Sequence, residues 1–105
     1  MFDFVTIGEA LNYVSAGKGI LIDVRHEQDF RKGHLRGADN IPLEKISDGS
    51  FGIHPKLNSA TCKLILYCQT GTGSLIAARK LDREGYDACS ISGGIGDYKG
   101  QLDRG

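Results

Sequence analysis

One stretch limits what this chain can become. Lys63–Ser74 reads K-L-I-L-Y-C-Q-T-G-T-G-S. Leu64, Ile65, Leu66 and Tyr67 form a short unbroken apolar run, the pattern of a strand buried on both faces. The run stops at Cys68. Gln69, Thr70, Gly71, Thr72 and Gly73 come next, small or polar, with two glycines that permit unusual backbone angles. From Ser74 the sequence L-I-A-A-R-K-L predicts a helix, which runs to about Glu84 with Gly85 just beyond its end. Strand, cysteine, loop, helix: this order aims several backbone N–H groups and the positive end of a helix dipole at one sulfur atom. Such surroundings lower a thiol pKa and suit a nucleophile. A cysteine at a strand end can equally be a small buried hydrophobe, so the rest of the chain has to decide.

Apolar strands alternate with helical segments along the chain. Phe2–Val5 predicts an opening strand. Thr6-Ile7-Gly8-Glu9 has the form of a capping box before a first helix that ends at Gly17. Gly19–Arg25 is the second strand, apolar at its centre. Asp23 and Arg25 lie two apart on one face or at its end, where a buried carboxylate needs a partner. An ion pair or loop clamp is the expectation for them. His26–Lys32 predicts a short charged helix, Asp39–Pro42 a short strand that Pro42 ends, and Leu43–Ile46 a helical turn. Ser47–Thr61, with Gly49, Gly52 and Pro55, reads as the least ordered stretch, and His54 within it as a solvated loop histidine. Asp87–Ser92 alternates, which puts Cys89 in the core. Gly93-Gly94 is a turn before a last helix, Ile95–Leu102, and Asp103–Gly105 is expected to fray. Strands and helices joined by short loops predict one α/β domain over residues 1–105, with a mostly parallel sheet. Ligands of such sheets bind at the C-terminal ends of the strands, where Cys68 sits.

Composition narrows the function classes. Thirteen basic and 13 acidic residues cancel, which argues against a nucleic-acid surface. No apolar run approaches the roughly 20 residues that span a bilayer. Met1-Phe2-Asp3-Phe4 lacks the basic and apolar regions of a signal peptide. Cys62, Cys68 and Cys89 make an odd set with no C-x-x-C pair and no histidine at zinc-ligand spacing. Free thiols in a reducing cytoplasm, and no metal or cofactor, are therefore expected.

Four stretches then coincide, in order, with one family: L-I-D-V-R (Leu21–Arg25), G-H-L-R-G-A-D-N-I-P (Gly33–Pro42), L-Y-C-Q-T-G-T-G-S (Leu66–Ser74) and G-Y-D-A-C-S-I-S-G-G (Gly85–Gly94). Together they resemble a single-domain rhodanese over about residues 4 to 102. The resemblance implies a five-stranded parallel sheet with helices on both faces and Cys68 as the nucleophile. It implies a ping-pong reaction in which Cys68 takes a sulfane sulfur from a small anionic or persulfide donor and passes it to cyanide, a thiol or a sulfur-carrier protein. It gives Gln69, Thr70, Gly71, Thr72, Gly73 and Ser74 the role of cradling the persulfide, and Asp23 and Arg25 the role of structural support. Two positions depart from the family pattern. Gln69 stands where the family often has Arg or Lys, so charge for a divalent donor has to come from backbone N–H groups, Arg25 or Arg79. Polysulfide, persulfide or a carrier protein is then expected to serve better than thiosulfate. Tyr98 stands where Trp is frequent, a packing change. A phosphatase or arsenate reductase of the related fold would need a longer loop closed by Arg. A non-catalytic binding module would be expected to lack the cysteine.

Overall fold

The computed structural model describes residues 3–47, 63–96, 98, 100 and 102–105. In chain order the elements are β1 (Asp3–Val5), α1 (Ile7–Ser15), β2 (Gly19–Asp23), α2 (Glu27–Lys32), β3 (Asp39–Asn40), α3 (Leu43–Ser47), β4 (Lys63–Tyr67), α4 (Thr72–Arg83) and β5 (Ala88–Ile91). The five strands form one sheet in the order β1-β5-β4-β2-β3, with every neighbouring pair parallel. β4 lies at the centre. The unbroken apolar run of its sequence is a consequence of that position, because both of its faces are covered.

Alternation along β4 divides the interior in two. Leu64, Leu66 and Cys68 face a core closed by Ile46 of α3 and by Ala77, Ala78 and Leu81 of α4. Ile65 and Tyr67 face the opposite core, with Ala10 of α1, Val5, Cys89 and Ile91, against which Leu11, Val14 and Phe30 also pack. The sheet is therefore flanked by helices on both faces. At the start of α1 the expected capping box is present: the Thr6 hydroxyl accepts from the Glu9 N–H at 3.1 Å, and the Glu9 carboxylate accepts from the Thr6 N–H at 2.9 Å.

Several boundaries differ from expectation, each for a local reason. β2 stops at Asp23 rather than Arg25, because Arg25 turns its own N–H back onto the Asp23 carboxylate. Pro42 opens α3 as well as ending the β3 stretch: its carbonyl accepts the N–H groups of Lys45 and Ile46. α4 begins at Thr72, not Ser74, with Gly71 as N-cap. The predicted last helix is not seen at its start. Residues 92–96 form a turn, and the N–H groups of Ile95 and Gly96 are taken by the carbonyls of Cys68 and Gln69, both at 2.9 Å. The C-terminal residues do not fray. Asp103 exchanges N–H···O bonds with His34, and the Gly105 N–H donates to the Arg31 carbonyl. His54, Cys62 and most of the stretch expected to be least ordered lie outside the described residues.

Candidate active site

β2 and β4 end level, Asp23 opposite Tyr67. Cys68 comes directly after β4, and the chain must then reverse to start α4 on the face of the sheet. Gly71 makes the reversal with φ +103°, a conformation that a side chain would resist. The turn of the second glycine pair locks this loop from below. Gly94, at φ +65°, packs so closely that a Cβ there would sit 2.4 Å from the Cys68 carbonyl oxygen. The sequence showed Gly93-Gly94 as a turn but not what it lies against.

The loop closes around the sulfur. The Gly71 N–H donates to Cys68 Sγ at 2.9 Å and the Ser74 N–H at 3.4 Å, while the thiol donates to Ser74 Oγ at 3.6 Å. Burial by itself pushes the Cys68 thiol up. The N–H and hydroxyl of Ser74 and the N–H groups of Gly71 and Thr70 outweigh burial, and the pKa lies below the ordinary thiol value. The N-terminus of the 12-residue α4 adds its dipole at the same place. Because Gly71 offers no side-chain cap, orphan N–H groups of the helix are left for the sulfur.

Cys68 is 8% exposed, and its opening is a cavity of about 450 Å³ lined by Val24, Arg25, His26, Asp29, Leu43, Glu44, Cys68, Gln69 and Thr70. Of the expected site residues, Gln69, Thr70 and Arg25 thus reach the mouth. Gly71, Gly73 and Ser74 surround the sulfur: a Cβ on Gly73 would lie 3.8 Å from Sγ. Thr72 points elsewhere, into a shallow hollow with Phe4 and Leu75. Arg79 lies on the exposed side of α4 and is not among the residues that line the mouth. Sequence reasoning does not single out His26, Asp29, Leu43 and Glu44 as site residues, since isolated residues in or beside short helices carry no signal of their own.

Beside the mouth, Asp23 is fully buried and Arg25 grips it. Nε lies 3.1 Å from both carboxylate oxygens, Nη2 lies 2.7 Å from Oδ2, and Nη2 also donates to the Gly33 carbonyl at 2.6 Å. Desolvation would lower the Arg25 pKa, but its hydrogen bonds and charge pairing with Asp23 prevail and raise it. Asn40 Nδ2 ties the Asp23 and Arg25 carbonyls together. The Tyr67 hydroxyl accepts the Leu35 N–H at 3.0 Å and faces the Asp23 carboxylate. Burial first, then that carboxylate, push its pKa far up. Among the described residues no group of His, Cys, Asp and Glu could hold a metal ion. Cys68 and Cys89 are free thiols, and Cys89 is buried in the core.

The rhodanese-like domain family matches residues 6–101. Over 88 residues the chain is 32% identical to a tRNA sulfurtransferase of Desulfurococcus amylolyticus, covering 84% of this chain and 16% of that protein. Over 87 residues it is 32% identical to a probable molybdopterin-synthase adenylyltransferase of Pyropia yezoensis, covering 80% of this chain and 22% of that one. The chain thus spans about a fifth of the length of these curated relatives. A rhodanese homologue from Thermus thermophilus superposes with a TM-score of 0.66 at 34% identity, covering 88% of this chain and 95% of that one. With the family's span running from the first helix to beyond the glycine turn that braces the Cys68 loop, the chain belongs to the rhodanese-like domain family.

Proposed function

We propose that the chain acts as a single rhodanese-like unit, a sulfurtransferase that carries sulfane sulfur as a persulfide on Cys68. The observation behind this reading is the uncharged nest around Sγ: the N–H groups of Thr70, Gly71 and Ser74 together with the Ser74 hydroxyl. In the first half-reaction the Cys68 thiolate attacks the outer sulfur of a donor. The bond to that sulfur breaks and its electron pair leaves with the remainder, as sulfite from thiosulfate or as a thiolate from an organic persulfide. The enzyme is left as Cys68–S–S⁻. In the second half-reaction cyanide or a thiol attacks the outer sulfur, and Cys68 departs as thiolate. Negative charge sits on sulfur throughout, and a ring of backbone dipoles stabilises it without a counterion.

The mouth favours some donors over others. Its polar side chains include Arg25, His26, Asp29 and Glu44, and Arg25 is committed to Asp23. With Gln69 uncharged, a dianion such as thiosulfate gains little there. Polysulfide, a low-molecular-weight persulfide or the persulfide of a carrier protein fits better. Two cysteines kept as free thiols suit a reducing cytoplasm; no helix among the described residues is long and apolar enough to cross a membrane.

The test is cyanolysis after loading with polysulfide and, separately, thiosulfate, with peptide mass spectrometry of the loaded protein. The mass of one added sulfur on the Cys68 peptide, and thiocyanate released in proportion, is the expected result. Sulfur on Cys89 instead would move the carrier to that thiol, and no loading with any donor would replace this reading with that of a binding module.

A further inference from the structure

Beneath the nucleophile lies a pair of hydroxyls, of which the nest around the sulfur accounts for only one, that of Ser74. Ser74 of α4 and Ser90 of β5 are both 0% exposed, and their Oγ atoms are 2.8 Å apart. Ser74 Oγ also lies 3.1 Å from the Gly71 carbonyl, to which it donates, and 3.6 Å from Cys68 Sγ. A hydroxyl has one proton to give and two lone pairs to fill. While Cys68 is a thiol, its S–H fills one lone pair of Ser74, Ser74 gives its proton to Gly71, and Ser90 fills the second lone pair. When the sulfur loses its proton, the Ser74 oxygen would face a thiolate across 3.6 Å with a lone pair. Rotation of the Ser74 proton from the Gly71 carbonyl to Sγ replaces that repulsion with a charge-assisted hydrogen bond. The rotation is open only while Ser90 is the donor in the serine pair. A Ser74 proton held by Ser90 could not reach the sulfur, and both residues are fully buried.

We propose that Ser90 is a positioning residue: by donating to Ser74 it polarises that hydroxyl and keeps its proton available to Cys68, so that Ser74 makes a stronger bond to the thiolate than it would alone. No proton is gained or lost by either serine; only the Ser74 O–H turns. Loading moves the charge to the outer sulfur, the inner sulfur becomes neutral, and the Ser74 proton returns to the Gly71 carbonyl. The relay therefore stabilises the thiolate more than the persulfide. It makes Cys68 the better leaving group when an acceptor attacks, since a thiol of lower pKa leaves faster. A chain of hydroxyls in a buried site also polarises each member, which strengthens the last bond to sulfur. This inference rests on the reading of Cys68 as the sulfur carrier.

The experiment measures the Cys68 pKa in the full chain, from the pH dependence of alkylation mapped to the Cys68 peptide. The titratable and charged residues that line the mouth with Cys68, Arg25, His26, Asp29 and Glu44, are the same in every variant. Ser90→Ala is expected to raise the pKa by about half a unit to one unit, and Ser74→Ala by more. The double variant is expected to match Ser74→Ala, because Ser90 acts through Ser74. Ser90→Thr and Ser90→Val, alike in shape and differing by the hydroxyl, repeat the comparison if Ser90→Ala does not fold: Thr keeps the parent value and Val does not. In stopped-flow half-reactions the acceptor step slows several-fold in Ser90→Ala while donor KM stays. An unchanged pKa in Ser90→Ala, equal values for Thr and Val, or a Ser90 effect undiminished in the Ser74→Ala background would overturn the relay. Failure of the underlying reading shows separately, as thiocyanate formation that survives Cys68→Ser.

Discussion

β2 and β4 run side by side and end level, yet the chain beyond each is built of opposite materials. After β2 comes a knot of full charges: a buried carboxylate held by a guanidinium, which is itself held by a carbonyl. After β4 comes a ring of partial charges with no cation in it, closed on a single sulfur. The difference is one of occupancy. The Asp23 carboxylate takes no part in the proposed half-reactions, so a fixed partner suits it, and the desolvated pair holds two connections in one geometry. In the proposed reaction the charge at Cys68 comes and goes and moves from the inner to the outer sulfur. A fixed cation would hold it in one place, whereas backbone dipoles tolerate each state. Charge beside a rhodanese-like site is thus not by itself evidence of catalysis; the ionic knot has its own structural work.

The sharpest way to break the comparison is to remove the sulfur. Cys68→Ser should fold as the parent does and lose sulfur transfer by about a thousandfold or more, because an alcohol forms no persulfide. Cys89→Ala, buried in the core away from the loop, should retain activity. Thiocyanate release with matched circular dichroism measures both. A half-active Cys68→Ser would move the chemistry to another thiol.

Next in size is the knot. Asp23→Ala leaves Arg25 largely buried beside the Tyr67 hydroxyl without its carboxylate. Breaking a buried pair on one side costs about 3–5 kcal/mol, which for a chain of this length lowers Tm by roughly 15 °C or more. Activity per folded molecule should fall far less than stability. A parent-like Tm with activity abolished would mean that the two strand ends share the chemistry after all.

The contrast also explains what the sequence could and could not disclose. Both strand ends were visible, because L-I-D-V-R and L-I-L-Y-C join an apolar run to the residue that matters. The layers were visible for the same reason: a run without polar breaks has to be covered twice. What stayed hidden is contact between distant segments. Ser90 lies 16 residues from Ser74, and nothing local in D-A-C-S-I-S separates a hydroxyl with a partner from a small core filler. The Tyr67 hydroxyl meets Leu35 across 32 residues. The expected last helix does not begin at Ile95: residues 92–96 are a turn, and the N–H groups of Ile95 and Gly96 reach the carbonyls of Cys68 and Gln69, a long-range contact that a helical pattern cannot reveal. His26, Asp29 and Glu44 meet at the mouth only because α2 and α3 are folded back around the end of β2.

A milder probe is pH. The depressed Cys68 pKa predicts alkylation by iodoacetamide that rises with pH through a midpoint below that of an ordinary thiol. The linked effect on stability has a definite sign. The unfolded thiol holds its proton to higher pH than the folded one, so the contribution is full above the unfolded pKa and is lost as pH falls through the folded pKa. A midpoint at or above the ordinary value would mean that burial, which pushes the thiol up, prevails over the N–H ring.

The smallest effect tests whether the uncharged loop limits the choice of donor. Gln69 lines the mouth beside Cys68. A cation about 4–6 Å from a bound anion contributes roughly 1–3 kcal/mol at an effective dielectric near 20. Screening and the ordering of a long side chain remove part of it, and Asp29 and Glu44 on the same rim offset more. About 1 kcal/mol remains, several-fold in apparent affinity. Gln69→Arg should therefore lower KM for thiosulfate several-fold at low salt, the gain shrinking as salt rises, and leave KM for a neutral organic trisulfide unchanged. Steady-state kinetics of both proteins with both donors at two ionic strengths makes the comparison. Equal thiosulfate KM values at low salt would show that the backbone ring already binds a dianion as well as it needs to. The missing charge would then be no handicap, and the contrast between the two strand ends would concern structure alone.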